Sequence, residues 1–214
     1  MKNILVLISL MLALSIVVVP EIKADTLTVY QGAYSSGIGG EFNIVSATLG
    51  NFPTFCLEFN EHFTPGNTYD YAVSSKAIYG GVGPQGDPIS VGTAWLYSLF
   101  RAGTLPGYDY SGNPGRIASA GALQNTIWWL EGEAGDPGAG NTFRQAVINQ
   151  FGSNVLAQAD AAPGAYGVYA LNLTVPGTGA LAQDMLTVPE PGILILLGLA
   201  MSAIGIAVPF VRKI

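Results

Sequence analysis

One stretch decides the fold: residues 116–131 read RIASAGALQNTIWWLE and predict the best helix of the domain. Its apolar residues recur three or four positions apart and therefore form one stripe along a helix. They are Ile117, Ala120, Leu123, Ile127 and Leu130. Gln124 and Trp128 lie four residues apart on a neighbouring stripe, and Gly132 ends the helix. We expect the apolar stripe to pack into the core of the domain.

Segments with strand-like alternation precede this helix, and one more follows the helical region. The predicted strands are Thr26–Tyr30, Glu41–Val45, Thr54–Phe59, Tyr69–Val73 and, nearer the C-terminus, Tyr166–Val175. Gly and Pro are frequent between these segments, so that residues 50–53 predict a turn and residues 80–88 predict a loop. Antiparallel strands joined by short connections are the simplest arrangement.

Two further helices flank the central one in sequence. The first is expected from Ser90, a candidate N-cap, to Ala102, with Gly103 as a natural stop. The other is expected from about Thr142 to Ala159, although Gly152 weakens it. The order of strands, three helices and a strand predicts an α+β fold. In this fold an antiparallel sheet carries about three helices on one side.

Composition excludes some classes of function. The chain has 214 residues, of which 10% are charged. Between Asp25 and Glu190 there are 13 acidic and 4 basic residues. No Lys/Arg cluster is available to neutralise phosphates, so nucleic acid is not expected as a partner. Cys56 is the only cysteine, which excludes an intramolecular disulfide.

Both ends of the chain are apolar and predict export followed by membrane anchoring. Residues 1–24 have the pattern of a signal peptide, with a small residue, Ala24, before the expected cut. Residues 192–210 carry no charge and predict a transmembrane helix. Arg212 and Lys213 then favour the cytoplasmic side. The alternatives are an N-terminal anchor that is retained and a C-terminal helix buried in the core.

The tail also carries a recognisable motif, Val188-Pro189-Glu190-Pro191, just before the apolar run. The Pro-Glu-Pro signature, the apolar helix and the basic end together resemble the PEP-CTERM sorting signal of exopolysaccharide-producing Gram-negative bacteria. The resemblance implies that an exosortase, a membrane cysteine transpeptidase, processes this chain near the motif. The expected organisation is a signal peptide (1–24), an extracytoplasmic domain (25–176), a linker (177–187) and the sorting signal (188–214).

A second resemblance concerns Phe55-Cys56-Leu57-Glu58 and Leu123-Gln124-Asn125-Thr126-Ile127-Trp128. These segments are similar to the two halves of a bacterial surface thioester domain. In that family a strand cysteine bonds to a glutamine side chain in a Thr-Gln-x-Ala-Ile-Trp-like motif. Gln124, Ile127 and Trp128 match the motif, whereas Leu123 and Thr126 replace its Thr and Ala. The resemblance implies a thioester between Cys56 and Gln124.

The chemistry of such a bond is consistent with the neighbouring residues. A thiolate that attacks a carboxamide expels ammonia and leaves an acyl group that can pass to an amine or hydroxyl. Glu58, two residues after Cys56, could assist proton transfer, and Trp128 could exclude water. The alternative is that Cys56 is a small buried apolar residue and Gln124 an ordinary polar residue of the helix.

Other candidate sites are weaker. Glu131, Glu133, Asp136 and Asn141 could offer oxygen ligands to calcium, but a solvated acidic loop is favoured because their spacing is not that of an EF-hand. His62, the only histidine, is expected at the surface. Eight tyrosines could stack on carbohydrate, and core or edge packing is the favoured alternative; they are Tyr30, Tyr34, Tyr69, Tyr71, Tyr79, Tyr97, Tyr108 and Tyr110.

These observations predict an exported, membrane-anchored surface protein rather than an enzyme. We expect a structural or adhesive role in an exopolysaccharide or biofilm matrix, with a covalent adhesin based on Cys56 and Gln124 as the alternative. A secreted hydrolase is least supported because no acid/base constellation is visible. The expected partners are the exosortase, the membrane and an exopolysaccharide or other surface polymer. No cofactor and no metal are predicted.

Overall fold

A computed structural model of the chain describes residues 25–78 and 86–189. Among these residues no helix combines the length and the apolar character that crossing a membrane requires. The predicted signal peptide (1–24), Glu190, Pro191, the predicted transmembrane helix (192–210), Arg212 and Lys213 lie outside the described residues. The structure therefore concerns the predicted extracytoplasmic domain.

Six strands form one antiparallel sheet in the order β3-β2-β1-β4-β7-β8. Their bounds are β1 Thr26–Ser36, β2 Gly39–Ser46, β3 Gly50–Thr54, β4 Thr68–Ser74, β7 Tyr169–Thr174 and β8 Met185–Thr187. Two short strands, β5 Lys76–Ala77 and β6 Asp87–Pro88, pair separately. The alternation of buried and exposed residues along β1 and β2 gives the sheet one face toward the core.

The two outer strands of the sheet meet, so that it is nearly a closed barrel. Immediately after β3, Cys56 pairs with Met185 of β8 in an antiparallel bridge. The Leu186 N–H donates to the carbonyl of Phe55 at 3.1 Å, and the Thr54 hydroxyl donates to the carbonyl of Leu186 at 2.6 Å. This seam gives hydrogen-bond partners to two strands that would otherwise be open edges.

In the described part of the chain, four α-helices and one 3₁₀ turn accompany the sheet. They are α1 Val91–Arg101, α2 Gly115–Leu130, α3 Thr142–Phe151, α4 Asn154–Ala157 and the turn Ala165–Gly167. The side chain of Ser90 accepts from the Thr93 N–H and caps α1, which confirms the predicted N-cap. The fold is α+β, as predicted.

Helix α2 packs into two apolar clusters. One cluster joins the helices to one side of the sheet and includes Leu123 and Ile127, both fully buried. The other lies among the strands and includes Trp128 together with Cys56 and Met185. Because α2 packs on both sides, its last two turns are buried almost all round. Helix α2 therefore connects the helical layer to the seam of the sheet.

Several sequence predictions were wrong in their boundaries. The predicted turn at residues 50–53 is strand β3, and the predicted strand Thr54–Phe59 ends at Thr54 apart from the bridge at Cys56. From the sequence alone, Pro53 favours a turn. In the structure it is tolerated within β3, because β3 is an outer strand of the sheet. The predicted third helix is two helices, because Gly152 ends α3 in a left-handed conformation with φ 86°.

The C-terminal part of the domain also differs from the prediction. The strand expected from Tyr166 begins at Tyr169, after the 3₁₀ turn. The predicted linker, residues 177–187, contains β8, whose three residues are all buried. The domain therefore runs at least to Thr187. A segment this short carries too little alternation to be recognised in sequence, and the pairing partners that bury it lie far away along the chain.

A buried ion pair fixes the start of α2 against β2. The Arg116 guanidinium donates to both carboxylate oxygens of Glu41, at 2.9 and 3.0 Å, and the Tyr108 hydroxyl donates to the same carboxylate at 2.6 Å. The Arg116 guanidinium also lies over the ring of Tyr34, 4.3 Å from its centroid. The Glu41 side chain is only 4% exposed, so its charge depends on these donors.

We expect Arg116→Met to lower the free energy of unfolding by about 3–5 kcal/mol, because it leaves a buried carboxylate without its counter-ion. Urea denaturation of the purified protein measures the loss. The matched control is Arg144→Met, which removes a similar bidentate pair with Asp136, a residue that is 45% exposed. That change should cost much less, because this pair is open to solvent and is screened by it. Equal losses in the two variants would contradict a special role for the Glu41 pair.

Candidate functional site

The structure brings the side chain of Gln124 into direct contact with the backbone of Cys56. The Cys56 N–H donates to Oε1 of Gln124 at 3.0 Å, and Nε2 of Gln124 donates to the Cys56 carbonyl at 2.8 Å. Cys56 is 2% exposed and Gln124 is 1% exposed. The glutamine carboxamide is therefore buried and held in a fixed orientation against the backbone of the cysteine.

The seam of the sheet explains why Cys56 has these two backbone groups to offer. Its bridge to Met185 uses the backbone groups of the flanking residues: Leu57 donates to the Asp184 carbonyl and Leu186 donates to the Phe55 carbonyl. The N–H and C=O of Cys56 point the other way and need partners, since buried backbone groups are almost always satisfied. The Gln124 carboxamide supplies both partners, one acceptor and one donor, as the backbone of an additional strand would.

A glycine in β2 makes room for the contact. A Cβ atom added at Gly39 would lie 2.6 Å from Cγ of Gln124 and 2.6 Å from the ring of Trp128. No ordinary side chain fits at such distances. Helix α2 therefore approaches β2 closely at this point, and Gln124 reaches the seam beyond it.

Trp128, one turn after Gln124, covers the same region. Its indole N–H donates to the Glu58 carbonyl at 3.1 Å, and its ring meets Phe59 edge to face with centroids 5.0 Å apart. The Gln183 amide donates to the same carbonyl at 2.8 Å. The segment after Cys56 is thus fixed from two directions by side-chain donors.

A pocket of about 230 Å³ reaches Cys56 from outside. Its polar lining comes from Glu61, His62, Gln183 and Gln31, and Phe63 contributes an apolar wall. His62 is exposed, as predicted, so the pocket opens to solvent. Cys56 is therefore buried but lies in the wall of an open depression, which gives a small molecule or a side chain a route to it.

The electrostatics of the site oppose ionisation of the thiol. Burial raises the pKa of Cys56 well above its ordinary value, and the charge of Glu58 raises it further. Burial likewise raises the pKa of Glu58 to about 10, with contributions from Glu61 and Asp184. The pKa of Asp184 rises to about 7, again mainly through burial. The carboxyl of Glu58 is therefore in its neutral form at neutral pH unless a cation accompanies it.

Sequence reasoning missed three side chains of this site. Glu61, Gln183 and Asp184 lie around Glu58, yet the last two belong to the stretch that was predicted to be a linker. Their only sequence signal is an acidic residue inside an apolar run, Asp184 before Met185 and Leu186. They join the site because the seam of the sheet aligns the stretch before β8 with the stretch after β3.

The weaker candidates are dispersed or built into the fold. Glu131 accepts from Ser90, Asp136 pairs with Arg144, and Asn141 caps α3, so the acidic loop does not form one set of ligands. Three of the tyrosines, Tyr69, Tyr97 and Tyr108, are buried, whereas Tyr30 is 45% exposed. Tyr79 lies outside the described residues.

The sorting motif is described only in part. Val188 packs against the helical core cluster, and Pro189 follows it as a buried residue. No known protein-family model, curated protein or solved structure matches the chain.

We expect Gly39→Ala to disturb the contact between Gln124 and Cys56, because the added methyl group would overlap both Gln124 and Trp128. Overpacking of this kind costs about 1–3 kcal/mol, measurable by urea denaturation, and tryptophan fluorescence should change as Trp128 moves. The control is Gly135→Ala, where the new Cβ meets no atom within 4 Å. The same stability for both variants would show that β2 and α2 do not need their close approach.

Proposed function

We propose that the chain is an exported surface protein whose domain forms a thioester between Cys56 and Gln124 and uses it to attach covalently to its target. The observation that carries the proposal is the pair of hydrogen bonds between the Gln124 carboxamide and the Cys56 backbone. A buried glutamine is fixed next to the only thiol of the chain, beside an open pocket. These features support proximity, orientation and access.

The reaction balances with the residues in place. The Cys56 sulfur attacks the carboxamide carbon of Gln124, the carbon–sulfur bond forms and the carbon–nitrogen bond breaks. Ammonia leaves with the thiol proton and the two amide hydrogens. Negative charge develops on Oε1 during the attack, and the Cys56 N–H already donates to that atom at 3.0 Å. Such a preplaced donor stabilises the tetrahedral intermediate.

Protonation governs when this attack takes place. A buried thiol beside a charged Glu58 holds its proton, so a neutral Glu58 favours the thiolate that attacks. A neutral Glu58 can also relay the proton: it gives its own proton to the leaving nitrogen and takes up the thiol proton in return. Both effects assign Glu58 a supporting role, in line with its nearness to Cys56.

In the attachment step, Cys56 changes from the attacking group to the leaving group. An amine or hydroxyl of the target enters the pocket, attacks the thioester carbon and takes the acyl group, while the Cys56 thiol leaves with the proton of the nucleophile. Trp128 and the surrounding apolar residues keep water from the bond until then. The product is an amide or ester between Gln124 and the target, which suits adhesion within a surface matrix.

Intact mass spectrometry tests this proposal. The purified protein should be lighter by one ammonia than its sequence requires, and methylamine should add to it. Cys56→Ala and Gln124→Ala should both restore the unmodified mass and abolish the methylamine adduct. Asn125→Ala, which removes an exposed amide from the same helix, should keep the deficit. Circular dichroism establishes that each variant is folded.

An unmodified mass for the wild-type protein, with Cys56 alkylated in the unfolded chain, would remove the covalent mechanism. The hydrogen bonds of Gln124 would then serve only to complete the seam of the sheet. A matrix protein that binds without a covalent bond would remain as the function.

The proposal includes sorting by an exosortase and anchoring through residues 192–210, for which the sequence motif provides the support. Truncation after Pro189 should move the protein from the membrane fraction to the soluble exported fraction, because it removes the apolar run. Glu190→Ala should leave the chain in the membrane but block its processing, seen as an unprocessed mass. Membrane-bound truncated protein would contradict the anchor.

A further inference from the structure

Three carboxyl groups converge beside the pocket that reaches Cys56. They belong to Glu58 and Glu61, in the segment after β3, and to Asp184, just before β8. One carboxylate oxygen from each lies within 4.8 Å of the other two. Among the described residues this is the only such cluster of potential metal ligands. Residues about 125 positions apart in sequence are thus brought to one point by the seam of the sheet.

A second observation sets this cluster apart from an ordinary group of surface acids. Glu58 is only 3% exposed, and neither of its carboxyl oxygens has a hydrogen-bond partner of acceptable geometry. Buried polar atoms are normally satisfied, and leaving one unpaired costs about 1–3 kcal/mol. One of these oxygens lies within 4.8 Å of a carboxylate oxygen of both Glu61 and Asp184. A ligand that supplies positive charge would satisfy all three.

The carboxylate of Asp184 is already held in an orientation in which it could bind a positively charged ligand. Its Oδ2 accepts the Ile78 N–H at 2.6 Å and its Oδ1 accepts the Leu173 N–H at 3.3 Å. Each carboxylate oxygen has a second lone pair, so these bonds hold the side chain in place without preventing it from binding an ion. Metal-ligating carboxylates are commonly held by outer hydrogen bonds of this kind.

We propose that Glu58, Glu61 and Asp184 form a binding site for a divalent cation of the calcium class. Calcium binds oxygen ligands at about 2.3–2.6 Å, so two ligands of one ion lie up to about 5 Å apart. The separations within the cluster fall inside this limit. Carboxylate oxygens are hard ligands that suit calcium or magnesium rather than the softer transition metals. Glu61, half-buried in the pocket wall, gives the ion a path from solvent.

Thermal denaturation with and without calcium tests the site. Protein stripped with EDTA should gain about 3–10 °C in Tm when calcium chloride reaches about 10 to 100 times the Kd. Titration should extend to about 10 mM, since extracellular calcium modules bind with Kd values of about 0.1–1 mM. Terbium provides a second readout, because Trp128 contacts the Glu58 carbonyl and should sensitise the luminescence of an ion bound there.

Glu58→Gln should abolish both responses, because it removes the charge while keeping the shape. Glu61→Gln, at a half-buried position where folding is not at risk, should weaken both. Asp160→Asn removes an exposed acid elsewhere and should respond as wild type. Absence of a calcium response in the wild-type protein, or a full response in Glu58→Gln, would overturn the site. The outcome is independent of the thioester, which the mass measurement tests separately.

Discussion

The two hydrogen bonds between the Gln124 carboxamide and the Cys56 backbone are the interaction on which the structure depends. The sheet closes where Cys56 meets Met185, and that bridge leaves the N–H and C=O of Cys56 directed away from β8. Without Gln124 both groups would be buried and unpaired, at a cost of about 1–3 kcal/mol each. One side chain of α2 therefore completes the hydrogen bonding of the seam.

Features set by local signals could be predicted from the sequence. Helix α2 shows a clear apolar stripe, and Ser90 carries a capping side chain at the start of α1. Features set by distant partners could not. Pro53 argues for a turn locally, yet it lies in β3 because β2 pairs with it. Strand β8 has three residues, and only its pairing with β7 and the seam makes it a strand. The α+β class was accessible, but the closure of the sheet was not.

The candidate site likewise contains some residues that could be predicted from the sequence and others that could not. Cys56 and Gln124 were paired by resemblance to a two-part motif, since nothing in their spacing of 68 residues predicts contact. The structure places them together, and it also gives Gln124 a structural reason to be there. Glu61 and Asp184 had no motif to indicate them. Their meeting with Glu58 follows from the register of the seam, which local sequence does not encode.

The charge on Glu58 connects the two proposals for this site. A negative Glu58 raises the pKa of the Cys56 thiol, and it is itself unfavourable because it is buried among acids. A proton or a bound cation relieves both problems at once. A cation differs from a proton in keeping the carboxylates ionised while cancelling their field. A proton and a cation are therefore alternative ways to stabilise the same buried carboxyl group, and only one of them can occupy it at a time.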